Sequence, residues 1–218
     1  MSTRAIVIGS TGLVGKQLVG QLLADARFER VVSFVRRPSG RTHARLEEHV
    51  IDFRAPDAWA DRVEGDVLFS TLGTTLKQAG SKEAQYEVDY TFQFNTAQAA
   101  AKNGVKEYVL VSADRASPSS MVFYSRIKGE LERDTGKLGF TCMTVVRPGL
   151  LAGEREQPRA VEGMAEGVLN VIGALPGLGN LKPIQGAEVA KAMIAAWSKH
   201  TPGTTILHNQ ELFALARA

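Results

Sequence analysis

Three glycines, spaced three residues apart, lie near the start of the chain between an apolar run and a helical pattern. The stretch reads AIVIGSTGLVGKQLVGQLL, with Gly9, Gly12 and Gly15 at its centre. The apolar run predicts a strand and the residues after the glycines predict a helix. A helix N-terminus behind a glycine turn presents unpaired N–H groups and a partial positive charge to phosphates. The stretch therefore predicts a dinucleotide site; the alternative is a purely structural turn, since the spacing departs from Gly-x-Gly-x-x-Gly.

The rest of the chain alternates short β-branched runs with longer helical segments. Six runs predict strands: RAIVIG, RVVSFV, EEHVID, DVLFST, EYVLVS and TCMTVVR. The segments between them follow a helical period, and so does a late stripe made of Val189, Ala192, Met193, Ala196 and Trp197. This alternation predicts an α/β fold: a doubly wound parallel sheet with helices on both faces, as in the NAD(P)-binding Rossmann fold.

A single domain accounts for the whole chain, because 218 residues suit one core. We expect residues from about 1 to 152 to form the cofactor-binding core. Residues from about 153 to 218 are expected to form a small C-terminal substrate lobe and the closing elements. The stretch from about 153 to 186 is rich in glycine and proline and shows no clear strand. It predicts a pocket wall without identifying a substrate.

Charge, cysteine content and hydropathy exclude several classes of function. The formal net charge is +3, with scattered Lys and Arg, which argues against a nucleic-acid partner. One cysteine and four histidines argue against a zinc site or a disulfide framework, so no metal is expected. No apolar run reaches about 18 residues, and no signal-peptide pattern opens the chain. These features predict a cytoplasmic protein that does not enter a membrane.

The glycine turn assigns the phosphate-binding part of the predicted site. Gly9 makes the tight turn, Gly12 lets the backbone approach a pyrophosphate, and Gly15 lets the helix pack close to the strand. The complete predicted turn is Gly9, Ser10, Thr11, Gly12, Leu13, Val14 and Gly15.

Two arginines after the second predicted strand favour NADP(H) over NAD(H). Arg36 and Arg37 stand where an NAD site places an acid for the ribose 2′-hydroxyl, and arginine suits a 2′-phosphate instead. The alternative is that both are solvated surface residues. The next two strand ends supply Asp52 and Phe53 for the adenine, and Leu72, Gly73 and Thr74 for the adenosine ribose.

The segment SADRASPSSMVFYSRIKGELE predicts the reacting groups. Tyr124 and Lys128 are four residues apart and share one helical face. A neighbouring ammonium stabilises a phenolate, so Tyr124 could exchange a proton with a carbonyl or alcohol oxygen. Ser112, at the preceding strand end, could hydrogen-bond that oxygen, and Lys128 could also reach the nicotinamide ribose. A core tyrosine beside a surface lysine is the alternative.

The stretch VVRPGLLAGERE follows the sixth predicted strand and closes the predicted site. Pro148 and Gly149 turn the chain across the nicotinamide end, with Leu150 and Leu151 against the ring. An apolar wall in that position helps to exclude water from a transferred hydride.

Taken in order, these motifs resemble the short-chain dehydrogenase/reductase superfamily in its extended or atypical branch. Within that branch the chain is similar to the Tat-interacting-protein group of NADPH-binding oxidoreductase-like proteins. The resemblance runs from about residue 4 to 152 and implies an NADP-binding Rossmann domain with Ser112, Tyr124 and Lys128 in the active-site positions. The matching stretches are VIGSTGLVGKQL, FVRRP, VIDF, STLGTTLKQAGS, VDYTF, LVSADRASPSSMVFYSRIKGELE and VVRPGLL.

One position departs from the superfamily pattern. Many members carry an asparagine early in the helix that here begins VDYTF, where it supports a proton relay. This chain has Asp89 at about that place, and Asn95 comes nearly two turns later. Members of the resembled group also have regulatory and protein-binding roles, so the residue set alone does not establish turnover.

The leading hypothesis is an NADP(H)-dependent oxidoreductase that reduces a small carbonyl substrate through Ser112, Tyr124 and Lys128. One alternative is a catalytically weak, NADPH-binding regulatory or redox-sensing protein that docks a protein partner. Another is a sugar-nucleotide epimerase or dehydratase, which the short stretch after Pro148 disfavours. The sequence is compatible with a homodimer and does not determine the oligomeric state.

Overall fold

The computed structural model describes residues 2–152 and 182–217. In chain order the strands and helices are β1 (Thr3–Ile8), α1 (Leu13–Ala24), β2 (Phe28–Val35), β3 (Leu46–Val50), β4 (Val67–Ser70), α2 (Leu76–Ala79), α3 (Lys82–Tyr86), α4 (Phe92–Lys102), β5 (Glu107–Val111), α5 (Phe123–Thr135), β6 (Cys142–Arg147), β7 (Leu151–Ala152), β8 (Ile184–Gln185), α6 (Gly186–Trp197), β9 (Gly203–His208) and α7 (Asn209–Arg217). Two 3₁₀ turns, Pro56–Ala58 and Ala60–Arg62, lie between β3 and β4, and a π-helical turn, Glu87–Thr91, joins α3 to α4.

In the described part of the chain, seven strands form one sheet in the order β3-β2-β1-β4-β5-β6-β9. Every neighbouring pair in it is parallel. The chain first steps outward from β1 to β2 and β3, then returns to β4 on the other side of β1. Connections that leave β1 in opposite directions open a crevice at the carboxyl ends of the strands. The predicted doubly wound α/β sheet is confirmed, and each of the six predicted runs contains a strand.

The core lies on both faces of the sheet, as expected for strands buried on both sides. Along β1, Ala5 and Val7 face one apolar cluster while Ile6 and Ile8 face the other, following the two-residue period of a strand. Helices α1, α6 and α7 cover the first face. Helices α4 and α5 contribute to the second. The predicted late stripe is buried in α6, so that prediction is confirmed.

Two local details differ from the predicted elements. The third strand ends at Val50, so Asp52 and Phe53 lie beyond the strand rather than at its end. The helix expected to begin near VDYTF starts instead as the π-helical turn, which places a wider loop of backbone around Asp89. Such turns are rare and recur at functional sites.

The second half of the predicted C-terminal lobe closes the central sheet. Strand β9 pairs with β6, and α6 packs against α1. A short pair, β7 with β8, joins the two described segments. The predicted substrate wall falls largely on residues 153–181, which lie outside the described residues. Within residues 2–152 and 182–217, no helix has the length and apolar content needed to cross a membrane.

Candidate functional site

Two adjoining pockets lie at the carboxyl ends of the parallel strands. The larger, called here the main cleft, has a volume of about 920 Å³, and the smaller, the side pocket, about 360 Å³. The main cleft is lined by most of the predicted site residues, namely Gly9, Thr11, Gly12, Leu13, Val14, Arg36, Arg37, Asp52, Phe53, Leu72, Gly73, Thr74, Ser112, Tyr124 and Lys128. The predicted cofactor end and the predicted reacting groups therefore share one cavity.

A few predicted residues lie elsewhere. Ser10 lines the side pocket rather than the main cleft. Gly15 is buried in the first turn of α1 and lines neither of the two pockets. Of the two leucines expected against the nicotinamide ring, Leu151 lines the main cleft and Leu150 does not, and Pro148 is buried.

The glycine turn holds the start of α1 against β1 and β4. Gly9 has a φ of 79°, in the left-handed region that favours glycine, and a Cβ there would lie 2.5 Å from the backbone nitrogen of Leu72. A Cβ on Gly15 would lie 2.1 Å from the Gly9 carbonyl oxygen. Both glycines are thus required by close backbone approaches, as the sequence predicts.

Gly12 plays a different part in the same turn. A Cβ there would meet only the Gly9 carbonyl oxygen, at 3.3 Å, a tight contact but a much less severe one than those at Gly9 and Gly15. Gly12 is the N-cap of α1, no side chain caps the helix, and its first turn contains no acid. An uncapped, acid-free helix N-terminus that lines a cleft fits a bound pyrophosphate.

Arg36 and Arg37 follow the end of β2, are exposed and line both pockets. Within the described residues neither guanidinium forms an ion pair, so both can approach an anion. This arrangement fits a phosphate between the two pockets.

Of the two residues predicted to contact the adenine, Phe53 belongs to the apolar core. Phe53 is buried, and its ring stacks on Phe92 with the ring centroids 5.4 Å apart. Its ring also packs edge-on against Trp59. The Asp52 carboxylate accepts a hydrogen bond from the backbone N–H of Arg54 at 2.9 Å, and Asp52 is exposed to solvent. Little of the Phe53 ring is therefore accessible from the main cleft.

At the other end of the main cleft, Tyr124 and Lys128 lie on one face of α5. Tyr124 is 38% exposed, whereas Lys128 is 2% exposed. The Lys128 Nζ lies 6.0 Å from the centroid of the Tyr124 ring. The Lys128 ammonium therefore lies next to the Tyr124 ring within the main cleft.

A buried acid forms an ion pair with Lys128. Asp89 Oδ1 lies 3.1 Å from the Lys128 Nζ, and Oδ2 accepts the backbone N–H of Thr74 at 3.1 Å. Burial by itself lowers the pKa of Lys128, but the charges of Asp89 and Tyr124 outweigh it and the pKa is raised. Asp89 therefore keeps Lys128 a cation throughout the neutral pH range.

Ser112, directly after β5, hydrogen-bonds a second acid. Its hydroxyl donates to Glu132 Oε1, and the same carboxylate forms an ion pair with Arg147, whose Nε lies 3.0 Å from Oε1. The side chains of Arg147 and Glu132 are 17% and 10% exposed. The Ser112 Oγ therefore turns its lone pairs, not its proton, toward the remaining space.

Sequence reasoning missed the partners Glu132 and Arg147, and it treated Asp89 only as a departure. A signal for Glu132 was present: Tyr124, Lys128 and Glu132 follow one another at intervals of four and so continue one stripe on α5. Nothing local points to Arg147, which lies on a different element.

The fold and the cleft are those of a Rossmann-like NAD(P)-binding protein. Residues 9–200 match the NAD(P)H-binding protein family, and the chain belongs to that family. The predicted superfamily resemblance is confirmed at this level.

The chain is similar to fungal proteins along almost its whole length. It is 35% identical to "Protein FMP52, mitochondrial" of Coccidioides immitis, covering 99% of this chain and 94% of the relative. It is 34% identical to the protein of the same name in Eremothecium gossypii, covering 98% and 97%. Both relatives are named as mitochondrial, so the predicted cytoplasmic location is wrong by this comparison. The prediction rested on composition and hydropathy, which do not report the compartment of a protein.

Among solved structures, the chain is similar in fold to MoeE5 in complex with UDP-glucose and NAD. The TM-score is 0.68 at 16% identity, covering 98% of this chain and 80% of MoeE5. At that identity the likeness shows the shared fold alone.

Proposed function

We propose that this protein is an NADP(H)-dependent oxidoreductase that reduces a small carbonyl substrate. The observation that carries the proposal is the single main cleft, which is lined by the glycine turn and Arg36 at one end and by Tyr124 and Lys128 at the other. A phosphate site and a proton-transfer pair at opposite ends of one cavity suit a dinucleotide that reaches from one to the other.

The proposed cofactor contacts follow the geometry of the cleft. The N-terminus of α1, at Gly12, would hold the pyrophosphate, and Arg36 and Arg37 would hold the 2′-phosphate. Leu151 would lie at the nicotinamide end and exclude water there. When bound, NADPH supplies the hydride that the carbonyl carbon receives.

Tyr124 is the proposed proton donor. Its hydroxyl would give a proton to the carbonyl oxygen as the carbon is reduced, and the partly exposed phenolate would recover a proton from solvent. The Lys128 ammonium, kept charged by Asp89, would stabilise the phenolate between these steps.

Ser112 has a different proposed role from the one expected at first. Because its proton is donated to Glu132, its Oγ would act as an acceptor in the cleft. That suits the alcohol product, whose new hydroxyl can donate to Ser112, better than the carbonyl substrate.

The first experiment titrates NADPH and NADH separately into the wild type and into Arg36→Ala/Arg37→Ala. We expect the wild type to prefer NADPH, and the double variant to lose about tenfold or more in NADPH affinity with little change for NADH. A matched control, Arg30→Ala/Arg62→Ala, removes the same charge from exposed arginines away from the cleft. Equal affinity of the wild type for both dinucleotides would refute the NADP(H) assignment.

A second experiment tests turnover. Purified protein with NADPH is assayed against a panel of small aldehydes and ketones, with Tyr124→Phe as the catalytic control. We expect Tyr124→Phe to bind NADPH normally and to lose about 10²- to 10⁴-fold in rate. NADPH binding without any turnover would instead support the regulatory alternative, in which a protein partner reads the bound state.

A further inference from the structure

One buried hydrogen bond links the core of β2 to the glycine turn. Ser33 is 1% exposed and interrupts the otherwise apolar run of that strand. Its hydroxyl donates to the hydroxyl oxygen of Ser10, with the two oxygens 2.6 Å apart. Ser10 is itself 8% exposed and lies in the turn directly after Gly9. Ser33 therefore connects the central sheet to the predicted phosphate-binding turn.

The direction of this hydrogen bond follows from the surroundings of Ser33. The residue pairs with Val7 on one side and Glu48 on the other, so its backbone groups belong to the sheet ladder. A buried hydroxyl whose proton has no acceptor is unfavourable, and Ser10 is the acceptor that the structure gives it. Because Ser10 Oγ already receives a proton from below, its own proton must point elsewhere.

The direction left for the Ser10 proton is the side pocket. Ser10 lines that pocket together with Arg36 and Arg37, and it does not line the main cleft, where Gly12 and Leu13 present the start of α1. Within residues 2–152 and 182–217, no acceptor takes the Ser10 proton. The side pocket thus combines two guanidinium groups with one outward hydroxyl donor, a set that suits a phosphate monoester.

We propose that Ser33 is a positioning residue that determines the preference for the 2′-phosphate of NADP(H). By donating to Ser10, it commits the Ser10 hydroxyl to act as a donor toward the phosphate beside Arg36 and Arg37. The inference rests on the proposed cofactor, and it adds a specificity determinant that has no contact with the ligand itself.

The test compares NADPH, NADH and adenosine 2′,5′-bisphosphate, which carries the 2′-phosphate without a nicotinamide. Each is titrated into the wild type, Ser33→Ala, Ser10→Ala and the double variant. We expect Ser33→Ala to weaken NADPH and the bisphosphate by about tenfold and to leave NADH within about twofold. We expect the double variant to match Ser10→Ala, because Ser33 acts only through Ser10.

A matched control separates this effect from the general loss of a buried hydroxyl. Ser70 is also a buried strand serine, and its hydroxyl donates to Gln93 rather than to the turn. Ser70→Ala should lower the urea midpoint as much as Ser33→Ala does, and leave the ratio of NADPH to NADH affinity unchanged.

Three results would overturn the inference. They are an equal loss of NADPH and NADH affinity in Ser33→Ala, no loss of either, or losses that add in the double variant. If Arg36→Ala/Arg37→Ala still abolishes the NADPH preference while Ser33→Ala does not alter it, the proposed cofactor stands and the role of Ser33 fails. A wild type with no NADPH preference would overturn both.

Discussion

The two ends of the main cleft are built by different means. At the cofactor end the binding groups are backbone N–H groups and exposed arginines, which have no ion-pair partner within the described residues. At the reaction end, Lys128 is held by the buried Asp89, and Ser112 by Glu132, whose side chain is 10% exposed. Exposed cations contribute little to folding, whereas a buried charge that loses its partner is strongly unfavourable. Substitutions at the two ends should therefore separate into binding effects and stability effects.

The largest expected effect is at the reaction end. Asp89→Ala leaves the buried Lys128 ammonium unpaired, which should lower the free energy of unfolding by about 3–5 kcal/mol. Urea denaturation followed by circular dichroism measures it. Glu87→Ala is the control from the same π-helical turn, because its ion pair with Arg54 is exposed and should contribute less than about 1 kcal/mol. Similar losses in both variants would break the proposed division.

The next effect is expected within the glycine turn, where two substitutions should behave oppositely. Gly15→Ala places a Cβ 2.1 Å from the Gly9 carbonyl oxygen and should lower the free energy of unfolding by about 1–3 kcal/mol. Gly12→Ala places a Cβ 3.3 Å from the same oxygen and should lower the free energy of unfolding by less, under about 1 kcal/mol, yet bind NADPH more weakly because its methyl group would face the proposed pyrophosphate. Thermal unfolding with and without NADPH compares them. Normal NADPH affinity in Gly12→Ala would argue against a pyrophosphate at this turn.

Glu132 should show an intermediate loss. Glu132→Ala leaves Arg147 without its ion-pair partner and Ser112 without its acceptor, and we expect about 2 kcal/mol because the pair is slightly exposed. Glu130→Ala, on the same helix, removes a 4.0 Å contact to Arg126 and a more exposed interaction with Tyr86, and it serves as the control. Equal urea midpoints for the two variants would show that the Glu132 network does not support the fold.

Alkaline pH should weaken the contact between the π-helical turn and α5. Burial, and then the hydrogen bond to Asp134, raises the pKa of Tyr90 to about 12. A folded-state pKa above the unfolded value of about 10 means that this stabilisation is complete below pH 10. It is lost as the pH rises from about 10 to about 12. In urea titrations at pH 8, 10 and 11.5, Tyr90→Phe should lose less stability above pH 10 than the wild type; parallel curves would contradict this.

Several features of the site follow from short stretches of sequence. The strand–glycine turn–helix unit, Arg36 and Arg37 after β2, and Tyr124 and Lys128 on one helical face are all encoded within a few residues. Strand and helix periods, together with the position of a residue after a strand, place them at the carboxyl edge of a parallel sheet. For that reason the doubly wound fold and the sharing of one cleft could be predicted before any coordinates.

The partners of those residues were decided by the tertiary structure. Asp89 meets Lys128, Glu132 meets Ser112 and Arg147, and Ser33 meets Ser10 across separations of 15 to 39 residues. No local period brings such residues together, since each contact depends on how separate strands and helices pack. The sequence by itself determined which chemical groups reach the cleft. Packing decided which of them are charged, and which hydroxyls donate or accept, because a buried polar group without a partner is unfavourable.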